Sequence, residues 1–304
     1  MRRVLAFLFP GQGSLQPAMG APWVDTPSWR VVDQLSSVLG RDLGKLLIDA
    51  DGATLRETRN AQAATFALSL MVLDRLREGG LEPAAVAGHS LGEYTALVAV
   101  GTLSVEDGMR LVGERGEAMQ AASEANPGTM AAVLGLEPDA VTGACADAGP
   151  GAWLANDNAP GQVVIAGTID GVAAAEVKAK EQGASRVLPL AVGGAFHTPL
   201  MAPAQQRLDN ALSMAPFGDP GVCIVTNVDA TAHDRADWAA LLSAQLCSPV
   251  RWRETLGTLA GLGVDQFVEV GPGDALTGMV KRTVAGASRH AAATPESVDS
   301  IVRG

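Results

Sequence analysis

The sequence predicts an α/β protein in which a mostly parallel sheet is flanked by helices and interrupted by a small inserted unit. Three observations predict this. Short apolar runs such as VLAFLF (Val4–Phe9), AAVAG (84–88) and QFVEV (266–270) alternate with longer segments whose apolar residues recur at helical spacing. Glycine-rich turns follow several of those runs. Between Gly128 and Val192 the order changes to β-α-β-β-α-β, the ferredoxin-like arrangement, which can close a core of its own. The chain is therefore read as an α/β core over 1–127 and 193–304, with a small subdomain over 128–192.

The elements follow in order. VLAFLF reads as a strand ended by Pro10-Gly11-Gln12-Gly13, and a loop at a strand end is a natural place for chemistry. From Ala61 to Glu78, Phe66, Leu70, Leu73 and Leu76 mark a helix with a buried face, stopped by Gly79-Gly80. AAVAGHSLGEYTALVAVG reads as strand, tight turn and helix, and a further helix covers Val105 to about Ala122. The inserted unit follows, with strands TMAAVLGL, AWLAN, QVVIAG and RVLPLAV, and helices near Pro138–Ala148 and Gly171–Glu181. After it come a helix over Ala204–Ser213, the strand CIVTNV, helices around Trp238–Leu246 and Trp252–Leu262, the strand QFVEV and the turn GPGD. The last dozen or so residues, rich in Ala and Ser, read as a loosely held tail.

Composition limits the function. The 304 residues are 47% hydrophobic, enough for a sizeable core, and no stretch has the length and apolarity of a membrane span. Val4–Phe9 is too short for a signal-peptide core. The three cysteines, Cys145, Cys223 and Cys247, form no C-x-x-C pair, which argues against a disulfide framework or a cysteine zinc site and for a reducing cytoplasm. A formal net charge of −11 opposes broad binding to nucleic acid or anionic membrane. An anionic partner must find a local basic patch.

Gly88-His89-Ser90-Leu91-Gly92 fits G-x-S-x-G, whose small residues let a strand turn sharply into a helix and hold a serine hydroxyl out from the sheet. By itself the pattern also fits a glycine-flanked turn with a helix-capping serine. A nucleophilic serine needs a base, most often histidine. The chain has four histidines. His89 adjoins the serine inside the turn and cannot readily fold back on it, His233 lies in a polar turn, and His290 in the tail. His197, where a strand end gives way to the pre-proline turn Phe196-His197-Thr198-Pro199, is left as the base. No carboxylate stands in the order an α/β-hydrolase triad requires, so a backbone or amide carbonyl is expected to orient the imidazole. The residue after the nucleophile, Leu91, supplies one backbone N–H for an oxyanion, and the Pro10–Gly13 loop is the natural source of a second.

Seven segments in one order, FPGQGS (9–14), GHSLGEY (88–94), ERGEAMQ (114–120), NAPGQVVIAG (158–167), GAFHTPLM (194–201), QLCSPVRW (245–252) and EVGPGDALTG (269–278), make the chain resemble a known family. It is the malonyl-CoA:acyl carrier protein transacylases of bacterial fatty-acid synthesis, related to the acyltransferase domains of polyketide synthases. The likeness spans nearly the whole chain. It implies a hydrolase-like α/β core with a ferredoxin-like insert, Ser90 as the acylated residue and His197 as general base. By the same likeness the backbone amides of Gln12 and Leu91 bind the oxyanion, the carbonyl of Gln245 orients His197, and Arg115 takes the free carboxylate of malonyl. Asn156, Asn158 and Gln62 fall at positions that line the substrate site. GAFH and Leu91 resemble the malonyl-selective pattern. Two departures stand out: Leu15 precedes the second glutamine, Gln16, and Ser248 replaces the usual asparagine.

The resemblance implies ping-pong transfer of malonyl from malonyl-CoA, a substrate, to the phosphopantetheine thiol of an acyl carrier protein, with no metal or bound organic cofactor. The chain is expected to be a cytoplasmic monomer whose partners are malonyl-CoA and the carrier. Arg251, Arg253, Lys281 and Arg282 are the expected carrier-docking patch. A serine esterase would share the elbow but need no arginine for a carboxylate. A non-catalytic carrier-binding protein would have no reason to keep Ser90, His197, Arg115 and Gln245 together.

Overall fold

The computed structural model describes residues 4–304. Strand β1 (Leu5–Phe9) is almost wholly buried, as a central parallel strand covered on both faces must be. Beyond it the chain passes a tight turn at Gln12–Ser14 and then forms α1 (Arg30–Leu39), α2 (Leu43–Ile48) and α3 (Gly52–Arg56). The carboxylates of Asp42 and Asp51 start α2 and α3 by accepting from the amides of Lys45 and Thr54, filling donors the first helical turn leaves free. The long α4 (Thr58–Glu78) is buried on nearly every side through Leu73, so it forms the middle of the molecule rather than a surface layer. Strand β2 (Ala85–Gly88) turns directly into α5 (Gly92–Ala99), all of whose residues are buried. Ser104 caps α6 (Val105–Ala125), which packs against α4.

The inserted unit contains β3 (Gly128–Leu134), α7 (Pro138–Asp147), β4 (Ala152–Ala159), β5 (Gln162–Thr168), α8 (Ile169–Glu181) and β6 (Arg186–Pro189). Its strands form one antiparallel sheet in the order β4-β5-β3-β6, and Val133, Val141, Val163, Ile165 and Val172 fill a core between that sheet and α7 and α8. The chain then returns through α9 (Ala202–Leu212), β7 (Cys223–Val225), β8 (Ala232–His233), α10 (Trp238–Gln245), α11 (Trp252–Gly261) and β9 (Gln266–Val270). The last elements are α12 (Ala275–Thr283), β10 (Ser288–Ala292) and α13 (Pro295–Arg303). The larger sheet runs β10-β9-β1-β2-β7-β8 and is parallel except at β7–β8. The expected mostly parallel sheet is thus present.

Two connections decide where the chemistry can lie. Val250 inserts beside β4, donating to the Ala155 carbonyl (2.9 Å) and accepting from the Asp157 amide (2.9 Å), so the inserted sheet is stitched to the larger body next to Asn156. Parallel register then brings strand ends together. Phe9 pairs with Gly88 and Ala87 with Val225, so the segments leaving β1, β2 and β7 emerge side by side at one edge.

The tail departs from its sequence reading. Ser288–Ala292 adds a parallel edge strand to β9, and α13 packs on α4 through fully buried Val298. Its start is a capping box at Thr294 and Ser297, and Asp299 pairs with Arg75 at 2.9 Å. The Ala- and Ser-rich composition hid an amphipathic helix whose few apolar residues all face the core. Helix α12 was not singled out in the sequence reading, which named no element between the turn GPGD and the tail.

Candidate active site

At the end of β2 the backbone turns so tightly that side chains are excluded on both sides of Ser90. A Cβ on Gly88 would lie 1.9 Å from the Gly92 carbonyl carbon, and one on Gly92 would lie 2.0 Å from the Phe9 carbonyl oxygen. Ser90 itself takes a left-handed conformation (φ 53°), a strained one that over-determined turns sustain at sites of chemistry. The Ser90 amide donates to Asn227 Oδ1 (2.7 Å), and Asn227 Nδ2 donates to the Gly88 carbonyl (2.6 Å), so the segment leaving β7 clamps the turn.

His197 is brought to this serine from the far side of the inserted unit, and it too is left-handed (φ 61°). Its Nδ1 lies 2.9 Å from the backbone carbonyl of Gln245, an acceptor only, so the proton resides on Nδ1. Nε2 is then free to accept from Ser90 Oγ at 2.8 Å. The imidazole is buried, and desolvation, helped by the nearby Arg115 charge, pushes its pKa down to about 3. It is therefore neutral, the form a base requires.

Arg115, on α6, is 1% exposed yet fully charged in function, because its guanidinium sits among acceptors. Nη1 donates to Gln62 Oε1 (2.6 Å), and Nη2 donates to Gln245 Oε1 (3.0 Å) and to Ser90 Oγ (3.1 Å). The guanidinium carbon also lies 5.5 Å from the Tyr94 ring centre, within cation–π range. Ser90 Oγ thus faces a base on one side and a cation on the other. Burial lowers the Arg115 pKa, but a guanidinium starts too high to lose its proton.

The remaining expected residues fall around this centre. Gln12 and Leu91 lie in the two adjoining loops, and neither backbone amide makes a hydrogen bond among the described residues. Gln12 also borders a cleft of about 310 Å3 lined by Leu15, Leu55, Arg56, Leu190 and Val192. Gln62 is fully buried and reaches the serine only through Arg115. Asn158 Oδ1 is 2.9 Å from His89 Nε2, and Asn156 stands beside the same nitrogen at 3.4 Å with its own Oδ1 buried and unpartnered among the described residues. These two asparagines therefore meet the elbow from behind through His89, which burial keeps neutral and which packs edge-on to Trp252. Of the other histidines, His233 is bound to Asp229 and His290 lies in β10.

Two further residues belong to the site and were not singled out from sequence. Glu93 is buried beneath the serine, accepting from the Asn227 amide (2.8 Å) and from Gln245 Nε2, and burial raises its pKa to about 7. The available signal was a lone acid on an otherwise uncharged helix. Asn227 gave none, since a polar residue after a strand is ordinary. In the expected docking patch, Arg251 is paired with Glu254 (2.5 Å), and Arg253 with Asp157 (2.9 Å) and Glu137 (2.7 Å), partly exposed pairs of the weak surface kind. Arg282 holds the β4–β5 turn through Gln162 and the Pro160 carbonyl.

Among the described residues no group of three or more His, Cys, Asp or Glu is placed to hold a metal ion, and no helix is long and apolar enough to cross a membrane. Comparison with known proteins agrees with the geometry. A family model described as acyl transferase domain matches residues 6–298. The malonyl CoA-acyl carrier protein transacylase of Bacillus subtilis is 41% identical, over 98% of this chain and 96% of its own length. Among solved structures, an acyl carrier protein S-malonyltransferase from Vibrio cholerae superposes with a TM-score of 0.93 at 40% identity, covering 98% of this chain and 99% of that one. A malonyl-transacylase solved in complex with a type II polyketide synthase acyl carrier protein gives 0.95 at 37% identity, with 99% of both chains covered. With a strained serine, a neutral histidine and a buried arginine on one oxygen, and these matches along its whole length, the chain belongs to the acyl transferase domain family and, within it, to the malonyl CoA-acyl carrier protein transacylases.

Proposed function

We propose that the chain transfers a malonyl group from malonyl-CoA to the phosphopantetheine thiol of an acyl carrier protein, through an ester on Ser90. The observation that carries this reading is the convergence on one oxygen: Ser90 Oγ lies 2.8 Å from His197 Nε2 and 3.1 Å from Arg115 Nη2. His197 takes the hydroxyl proton as Oγ attacks the thioester carbonyl, and returns it to the departing thiolate of coenzyme A. The free amides of Leu91 and Gln12 are the donors for the oxyanion. In the second half the carrier's thiol loses its proton to His197 and attacks the ester, regenerating the serine. The Gln245 carbonyl holds His197 in the required tautomer, in place of a carboxylate.

Arg115 is the group that recognises malonyl. Its Nε has no partner among the described residues, and its Nη2 contact with Ser90 Oγ weakens once that oxygen becomes an ester. Both donors lie on the same edge of the guanidinium, the fork that a carboxylate can engage through two parallel bonds. Gln62 supports the guanidinium from its other side, through Nη1. No bound metal or organic cofactor enters these steps. The larger sheet with its elbow fits a hydrolase-like core (1–127 and 193–304), and the order β4-β5-β3-β6 fits a ferredoxin-like subdomain (128–192). We place the protein in the cytoplasm as a monomer, with carrier docking through the patch of Arg251, Arg253, Lys281 and Arg282.

Brief incubation with malonyl-CoA followed by peptide mass spectrometry tests the reading. One malonyl group is expected on the peptide containing Ser90 and none in Ser90→Ala. An adduct on Cys145, Cys223 or Cys247 instead would refute the serine mechanism.

A further inference from the structure

Glu93 is the one charged residue on α5, is 2% exposed, and comes within hydrogen-bond reach of no atom proposed to react. A carboxylate in such a place is costly unless its neighbours are donors. They are. Oε1 accepts from the Asn227 backbone amide (2.8 Å), and Oε2 accepts from Gln245 Nε2. Gln245 Nε2 also donates to the Ser90 carbonyl (2.9 Å). With both amide hydrogens directed at oxygens, the carboxamide has one orientation, and its Oε1 must face Arg115 Nη2 at 3.0 Å. The flipped carboxamide would set an NH2 group against the guanidinium and an oxygen against Glu93 and the Ser90 carbonyl. Three favourable contacts would become repulsive.

The consequence for Arg115 is specific. Its guanidinium is held by two neutral amide oxygens, Gln62 Oε1 and Gln245 Oε1, while the Glu93 carboxyl, whose pKa burial raises to about 7, stands one side chain further away. A direct Glu93–Arg115 pair would occupy the fork and neutralise the charge that an incoming carboxylate needs. With Gln245 interposed, the cation is aimed and stays available.

We propose that Glu93 is a positioning residue for acyl selectivity: it locks the Gln245 carboxamide so that Arg115 is presented, unneutralised, to acyl groups bearing a free carboxylate. This rests on the reading of Arg115 as the carboxylate-binding group. Glu93 also anchors Asn227, which clamps the serine turn, so a change at Glu93 affects all acyl groups to some degree as well. The ratio of specificity constants for malonyl-CoA and acetyl-CoA removes that common part.

Glu93→Gln exchanges one acceptor oxygen for a donor and cannot satisfy both the Asn227 amide and Gln245 Nε2. The malonyl/acetyl ratio should fall about tenfold or more, the size of a lost hydrogen bond to a charged group, while acetyl transfer changes less. Glu93→Asp keeps both acceptor oxygens one methylene further back and should restore part of the ratio. Arg115→Ala is measured alongside. If Arg115→Ala leaves the ratio unchanged, the underlying reading fails. If Arg115→Ala collapses the ratio but Glu93→Gln lowers both substrates equally, or neither, the role of Glu93 is overturned by itself. Should Glu93→Gln not fold, Glu93→Asp decides: a smaller fall in the ratio supports the proposal, and an equal loss for both substrates refutes it.

Discussion

Truncating Arg115 to alanine removes a guanidinium that is 1% exposed and donates at 2.6, 3.0 and 3.1 Å to Gln62, Gln245 and Ser90. The last of these contacts polarises the nucleophile for any acyl group, so its loss cancels when two substrates are compared. What does not cancel is the charge-assisted pair with a carboxylate that malonyl has and acetyl lacks. Removing one partner of a desolvated, hydrogen-bonded charge pair costs roughly 2–5 kcal/mol. At about 1.4 kcal/mol per tenfold, the malonyl/acetyl ratio of kcat/KM should fall by about one and a half to three and a half orders of magnitude. Acetyl transfer should be spared or raised relative to malonyl. Arg115→Lys should recover only part, because an ammonium has the charge without the planar fork. The assay is transfer to carrier protein from each thioester, with thermal unfolding of each variant as a check on folding. Equal losses for both substrates would show that Arg115 merely supports the serine turn and the surrounding fold.

His197→Ala should slow acylation of Ser90 by about 10²–10⁴-fold, measured as single-turnover adduct formation. Because the imidazole pKa is pushed down to about 3, wild-type acylation should show no acid limb near pH 6.5, and such a limb would mean that the ring is solvated. Glu269, fully buried with Oε1 unpartnered among the described residues, has its pKa raised to about 7 from 4.5. The folded chain therefore holds a proton the unfolded chain releases, and the associated stability, present in full below pH 4.5, is lost as pH rises through 7. Urea unfolding at pH 5 and pH 8 should show Glu269→Gln flattening this decline by up to ~3 kcal/mol, and an unchanged slope would refute the assignment. Ala18 is left-handed at φ 61°, where a Cβ costs about 1–2 kcal/mol, partly offset by the greater freedom of an unfolded glycine. Ala18→Gly should leave the Tm unchanged or raise it, and a clear drop would show that the alanine methyl makes a contact worth more than its strain.

Much of the molecule was legible in the chain because its signals are local. The alternation of short apolar strands with helical periodicity marked the parallel sheet, and the β-α-β-β-α-β order marked the inserted antiparallel one. The glycines of G-x-S-x-G could be read as a sharp turn at Ser90, since a Cβ on Gly88 meets the backbone of Gly92 within the same five residues, whereas the obstacle to a Cβ on Gly92 is the distant Phe9 carbonyl. With only four histidines to choose from, elimination led to His197, whose Nε2 stands 2.8 Å from Ser90 Oγ. The tail was misread for the converse reason. Composition sees Ala and Ser, while the order of β10 and α13 comes from pairing with β9 and burial against α4.

What the sequence by itself determined was therefore the strands of the parallel sheet and of the insert, the turn that exposes the serine, and the residue types able to do the chemistry. The tertiary structure alone decided which charges are free and which are answered. Arg253 looks like part of a cationic patch in the chain, but its carboxylate partners come from β4 and the start of α7, 96 and 116 residues away. The position of Arg115 on its own helix does not tell what it meets, and folding buries it on Ser90 and interposes Gln245 between it and Glu93. Those partners lie 25, 130 and 22 residues away from the side chains they meet or face, and no local pattern encodes such pairings. Electrostatic strength depends on distance and on burial, and both are properties of the packed chain.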